Sequence, residues 1–318
     1  MTTPFRSQVR RALRRAIHWI QARIVFALWG AFKLIPVNIA TNMAAGAVRG
    51  LGPLLPRHRT GMKNLALAFP EKNIRERRRI LTMMWDNLAR TAVEYIHLET
   101  LFDFDPDNPG KGRIDVQGAD KFEKLIREDK PAILFTGHLA NWELLPVCAH
   151  KYGLSIASLY RMPNNPYIAR RIADIRARVM GDLISSGPGA VYRLMATLDS
   201  GGRIGVLVDQ KFRARSGLMI PFFGHAAKTN PLLGKLAREY DCPVHGARVI
   251  RLAHGRFRLE ITDEISLPRD TEGRIDTRLA MVAVTRIVED WIREYPNNGS
   301  GFTAAGRFER LGGLTERR

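Results

Sequence analysis

Apolar positions recur at helical spacing in the first third of the chain and then gather into short runs that end in Gly, Pro or charged residues. Across residues 73–98, Ile80, Leu81, Met84, Trp85, Leu88 and Val93 return every three to four positions, which predicts one long amphipathic helix. Residues 37–55, rich in Ala and Gly, predict a small-residue helix that breaks at Pro53–Arg59, and 102–112 predict a Pro/Gly/Asp loop. From Ile114 onward the pattern changes. Apolar runs at 132–135, 155–160, 204–208, 243–252 and 256–261 predict strands, and segments 141–152, 166–180, 190–198, 231–240 and 277–294 predict helices. Such alternation is the signature of an α/β fold, a mixed sheet flanked by helices. The chain shows no internal repeat and no low-complexity linker.

The N-terminus adds a second theme. Arg6, Arg10, Arg11, Arg14 and Arg15 precede the apolar run Ile24–Phe32, and Lys33 and Pro36 follow it. The uninterrupted run is about half the ~20 residues that span a bilayer. With Arg23 and Lys33 snorkelling, the window 16–36 predicts a membrane-associated helix, spanning or interfacial, with Trp19 and Trp29 suited to the interface. The arginines before it favour a cytoplasmic N-terminus.

Charge narrows the partners. Lys and Arg number 50 against 31 acids, a formal net charge of +19. That balance favours an anionic partner: a membrane face, an acidic protein or ligand, or nucleic acid. The basic residues are spread along the chain and form no recognition motif, so nucleic acid is the weaker reading. The two cysteines, Cys148 and Cys242, sit in apolar settings and read as inert core thiols. No metal site is expected, since no Cys/His cluster is present and His150 after His138 and Glu143 makes only a loose set. A nucleophile elbow, a phosphate loop and a dinucleotide fingerprint are all missing, so no cofactor is expected.

The stretch AILFTGHLANWELLPV, residues 132–147, runs a buried strand into His138 and Glu143. On one helix, five residues apart, the two side chains would diverge by about 140°. They meet only with His138 in the turn and Glu143 in the first helical turns. There the carboxylate would hold one imidazole nitrogen and leave the other as a general base. Arg161 and Asp209 also fall at predicted strand ends, with Gln210 beside Asp209, where α/β sheets gather ligands. Taken singly, Arg161 reads as an ion-pair residue and Asp209 as a cap.

In order along the chain, GHLANWE (137–143), LYRMPNNP (159–166), VDQ (208–210) and PFFGHAAKT (221–229) resemble the lipid A biosynthesis (late) acyltransferases, part of the lysophospholipid acyltransferase-like group with an H-x4-D/E motif. TGMKNLALAFPEK (60–72) is similar to the family's N-terminal segment. The resemblance implies a bacterial inner-membrane enzyme with a cytoplasmic active site. Its donor would be an acyl thioester, of acyl carrier protein or coenzyme A, and its acceptor a hydroxyl of a lipid A precursor. It implies His138 and Glu143 as catalytic residues, and Arg161, Asn141, Asp209, Gln210, Phe222, Phe223 and Thr229 as substrate-binding. Acylation of another lipid, a lysophospholipid or glycolipid, is the alternative within the same scaffold.

The likeness stops at Pro296. Where the family carries a Trp/His/Arg-rich stretch, this chain has NNGSGFTAAGRFER. Read in a shifted frame with allowed synonymous codons, 296–306 yields P-E-Q-W-L-W-V-H-R-R-W, which predicts a single-nucleotide frameshift near Pro296. The expected partition is a basic arm and membrane-anchoring helix over 1–36, an acyltransferase domain over 37–296, and an atypical tail over 297–318.

Overall fold

The computed structural model describes residues 4–299 except 109, 211 and 213. The tail expected over 297–318 therefore lies outside the described residues from 300 onward.

Four helices come first: α1 (Pro4–Lys33), α2 (Val37–Leu51), α3 (Pro56–Ala68) and α4 (Ile74–Glu94). Then follow α5 (Leu98–Leu101), β1 (Ile114–Gln117), α6 (Ala119–Glu128), β2 (Ala132–Thr136), α7 (Leu144–Lys151), β3 (Ile156–Tyr160), α8 (Pro166–Val179), β4 (Leu183–Ser185), α9 (Ala190–Asp199) and β5 (Arg203–Leu207). The chain continues through β6 (Leu218–Phe222), β7 (His225–Thr229), α10 (Leu232–Tyr240), β8 (Val244–Arg251), β9 (Phe257–Glu264) and α11 (Thr277–Glu294).

Seven strands form one sheet in the order β1-β9-β8-β2-β5-β3-β4. The strands β8, β2, β5, β3 and β4 run parallel. β9 opposes β8 and carries β1 parallel to itself, so the sheet is mixed but mainly parallel. The antiparallel hairpin β6–β7 stands apart from it. In β2 successive side chains alternate between faces. Ile133 and Phe135 join one buried cluster with α3, α4 and α9–α11, while Ala132 and Leu134 join the other with α6–α8. Phe135 stacks on Trp291 of α11, ring centroids 5.8 Å apart. Gly246 makes room for that stack, because a Cβ there would lie 2.8 Å from Trp291 and 3.0 Å from Phe135.

Most predicted elements are present with shifted ends. The helix expected over 73–98 starts with Asn73 and Glu76 in a reciprocal capping box but ends at Glu94, where a 3-10 turn over Tyr95–His97 begins. The helix expected from 141 starts at Leu144. Helices α3 and α6, strands β1 and β4 and the hairpin were not predicted as elements: their apolar runs are short or interrupted by charges.

On α1, Val9, Leu13, Ile17, Ile20, Ile24 and Leu28 are exposed and recur every three to four residues along one stripe. The other side packs on α8, with Ala22 buried and Asn165 Nδ2 donating to the His18 carbonyl at 2.7 Å. Among the described residues no helix is long and apolar enough to cross a membrane.

Candidate active site

β2, β3, β5 and β8 run parallel, and the loops that follow β2 and β5 build the site. His138 lies two residues past β2 and Asp209 two past β5. The imidazole Nδ1 sits 2.7 Å from Asp209 Oδ1, and the His138 backbone N–H donates to Oδ2 at 2.8 Å. One carboxylate thus holds both the ring and its backbone. Gly137 permits the approach: a Cβ there would lie 3.3 Å from Asp209 Oδ2 and 3.1 Å from Val288.

Burial opposes protonation of the imidazole. Asp209 outweighs it by charge and hydrogen bond, with a smaller push from Glu143, so the His138 pKa is raised. Burial likewise pushes the Asp209 carboxyl up, but the imidazole and the His138 backbone N–H outweigh this and hold its pKa down. An ionised Asp209 can only accept, so in the neutral ring Nδ1 carries the proton and Nε2 the lone pair. Nε2 is met by the Gln210 side-chain amide nitrogen at 2.9 Å, a donor on the lone pair. The amide thus occupies the direction of the Nε2 lone pair. Trp142 closes the ring's edge, with centroids 4.7 Å apart in a T-shaped pair.

The contact expected between His138 and Glu143 is corrected by the structure. Glu143 precedes α7, is buried, and turns its carboxylate to α8, where Arg176 binds it through Nη2 at 2.5 Å and Nε at 3.2 Å. The Arg176 guanidinium lies over Tyr160 at 4.8 Å and Tyr95 at 5.7 Å, a nearly dry position that requires a charged partner. The imidazole already has Asp209, and the buried guanidinium takes Glu143.

A cleft opens beside this pair, with about 700 Å³ of empty space including its mouth. Thr136, Trp142, Glu143, Tyr160 and Arg176 contribute to its wall, together with Phe122, Leu134, Ile156, Met180, Leu183, Val206 and Ala247. Its lining is apolar apart from a few polar groups, the composition that suits a hydrocarbon chain.

The remaining expected residues divide. Asn141 is fully buried, and its Nδ2 donates to Glu94 Oε2 at 3.0 Å. Gln210 is on the imidazole, as described. Arg161 is exposed just past β3. Phe222 and Phe223 form the hairpin corner: Phe223 is buried against Phe69, with centroids 5.4 Å apart, and Arg293 lies 4.6 Å over its ring. Thr229 is buried at the end of β7. The structure shows these last three in packing positions. Both cysteines are buried and free, and burial pushes Cys148 up to about 12 and Cys242 up to about 11, which disfavours a thiolate nucleophile.

Trp142, Arg176 and a polar set on α4 were not singled out from sequence. Asn87, Thr91 and Glu94 are buried and follow one another at helical spacing. A polar interruption on an otherwise apolar helix face was the signal available for them.

Residues 4–298 match the model of the bacterial lipid A biosynthesis acyltransferase family. The chain belongs to this family. It is therefore an acyltransferase of lipid A biosynthesis, and the match covers all the elements that build the site. A comparison with curated proteins finds no match.

Proposed function

We propose that this acyltransferase moves a fatty acyl group from an acyl thioester, carried by acyl carrier protein, to a hydroxyl of a lipid A precursor, with His138 as general base. The observation that carries this reading is the imidazole held by Asp209 through Nδ1, with Nε2 turned to a donor and the ring packed on Trp142, which contributes to the wall of the apolar cleft.

The acceptor hydroxyl displaces the Gln210 amide from Nε2 and gives up its proton to that nitrogen as its oxygen attacks the thioester carbonyl. The O–H bond breaks and the ester C–O bond forms. The C–S bond then breaks, and the thiolate takes the proton back from Nε2 and leaves as the thiol. Asp209 stabilises the imidazolium between the two transfers. Glu143 acts one step away: with Arg176 it contributes to the wall of the cleft that would receive the acyl chain. The displaced Gln210 amide and Arg161 are the donors we assign to the thioester oxygen and to an acceptor phosphate. Phe222, Phe223 and Thr229 support the site through the hairpin.

We place the enzyme on the cytoplasmic face of the bacterial inner membrane, with residues 1–36 as its membrane segment and 37–296 as its catalytic unit. The exposed stripe on α1 between basic residues supports an interfacial helix lying in the plane of an anionic leaflet. The net charge of +19 suits both an acidic carrier and a phosphorylated acceptor.

The test is transfer from lauroyl-acyl carrier protein to a bisphosphorylated lipid A precursor, with the same acyl group on coenzyme A and a lysophospholipid acceptor in parallel. Efficient turnover of the carrier-protein and lipid A pair alone supports the reading. Preference for the lysophospholipid would move the chain to the alternative acceptor class.

A further inference from the structure

The turn that carries His138 is held from behind by side chains whose bonds end on Ala140 and Asn141. Ala140 has φ +47°, a left-handed conformation that a residue with a Cβ keeps only where its surroundings impose it. Both of its peptide groups are tied down. Its N–H donates to the Asn298 carbonyl at 2.8 Å, and its carbonyl accepts from Asn87 Nδ2 at 3.3 Å and, at 3.2 Å, from the Thr91 hydroxyl, which shares its proton with the Asn87 carbonyl at 2.9 Å. Asn141, the next residue, is tied to Glu94.

Arg251, at the end of β8, joins these holders. It pairs with Glu94 through Nη1 and Nη2, donates from Nε to Asn87 Oδ1 at 2.7 Å, and donates from Nη2 to Thr91 Oγ1 at 3.2 Å. Its guanidinium lies 4.7 Å over Phe257. Glu94 and Arg251 have side-chain exposures of 4% and 11%. A buried ion pair contributes little net stability compared with apolar packing. It does supply directed hydrogen bonds, and here they converge on a strained turn two residues from the proposed base.

We propose that Glu94 and Arg251 are positioning residues of the transferase. Through Asn87, Thr91 and Asn141 the pair holds Ala140 left-handed and so sets the aim of His138 Nε2. The inference rests on His138 acting as the general base.

Glu94→Gln tests it in the full chain, with lauroyl-acyl carrier protein as donor and a bisphosphorylated lipid A precursor as acceptor. The variant keeps shape and removes charge. Expected is a fall in kcat of about 10–100-fold, the size of effect a small misplacement of reacting groups produces, with KM for both substrates unchanged. Adding Ala140→Gly removes the strain the network holds, since Gly adopts this conformation freely. The double variant should recover much of the lost kcat without recovering the lost melting temperature. A purely structural role for the pair would give no such rescue.

Wild-type kcat in folded Glu94→Gln, or a loss that Ala140→Gly leaves untouched, overturns the proposal. If Glu94→Gln does not fold, Thr91→Val decides: a several-fold fall in kcat at unchanged KM supports it, and a wild-type kcat overturns it. His138→Ala separates the two levels. Normal turnover in that variant overturns the general-base reading and this inference together. Lost turnover there, with Glu94→Gln and Thr91→Val active, overturns the positioning role alone.

Discussion

Asp209→Asn is the substitution whose outcome the geometry constrains most tightly. The carboxylate makes two bonds to the same residue, Oδ1 to the imidazole Nδ1 at 2.7 Å and Oδ2 to the His138 backbone N–H at 2.8 Å. An Asn amide has one acceptor and one donor end. The backbone N–H can only donate, so the amide oxygen must take the Oδ2 place. The NH₂ group is then forced toward Nδ1, which must become the acceptor. The ring proton moves to Nε2, and the nitrogen proposed to receive the substrate proton is occupied. The loss should therefore equal removal of the general base, about 10²–10⁴-fold in kcat, or roughly 2.7–5.5 kcal/mol of barrier. Proton bookkeeping adds a second signature. A general base works only as neutral imidazole, so with His138 in the proposed role activity should fall as pH drops through its pKa, which is raised in the wild type. Removing the carboxylate leaves burial, the largest influence and one that acts in the opposite direction, against only the smaller push from Glu143, so the acid limb of residual kcat/KM should move to lower pH. The assays are a pH–rate profile with the lauroyl donor and ¹⁵N NMR of the histidine ring, which reports the protonated nitrogen. An Asn variant with near-wild-type kcat, or with Nδ1 still protonated, refutes the reasoning.

Glu143→Gln should leave the acid limb close to its wild-type position but destabilise the fold by about 3–5 kcal/mol, because Arg176 loses its buried partner; a denaturant titration beside the pH profile checks both. Ala247→Leu should penalise long acyl donors before short ones, at about 0.8 kcal/mol, or roughly fourfold, for each methylene expelled from the cleft; a donor-length series reads this directly. Replacing Ile17 and Ile24 together by Glu should release the chain from phosphatidylglycerol vesicles in a sedimentation assay, since both are exposed on the α1 stripe. Transfer from acyl carrier protein should weaken with rising salt, because exposed charges are screened beyond ~8 Å at physiological ionic strength; a flat dependence would argue for a small neutral donor.

The alternation of apolar runs and helical stripes from Ile114 onward exposed the α/β layout, because parallel strands buried on both faces read as short apolar segments. Strand β4, with three residues, and β1, with Asp115 and Gln117 inside it, carry too little apolar signal to be seen. His138 was legible because a strand, a Gly and a helix start surround it in one short stretch. Asp209 was expected at the site as well, but its pairing with His138 was not. Asp209 lies 71 residues away, and only the pairing of β2 with β5 brings the two loops together. Glu143 was the nearest carboxylate in sequence, and nothing local reveals that Arg176, 33 residues on, would claim it. The spanning option for residues 16–36 failed on hydropathy, while the α1 stripe emerged only once the packed side of the helix was known.

The most direct measurement is mass spectrometry of acceptor and enzyme after incubation of the purified chain, or its His138→Ala variant, with lauroyl-acyl carrier protein and a lipid A precursor. The acceptor should gain one lauroyl group with the wild type, His138→Ala should be slower by about 10²–10⁴-fold, and neither enzyme should carry an acyl adduct. A His138→Ala chain that transfers at the normal rate, or a lauroyl group found covalently on the enzyme, would contradict it.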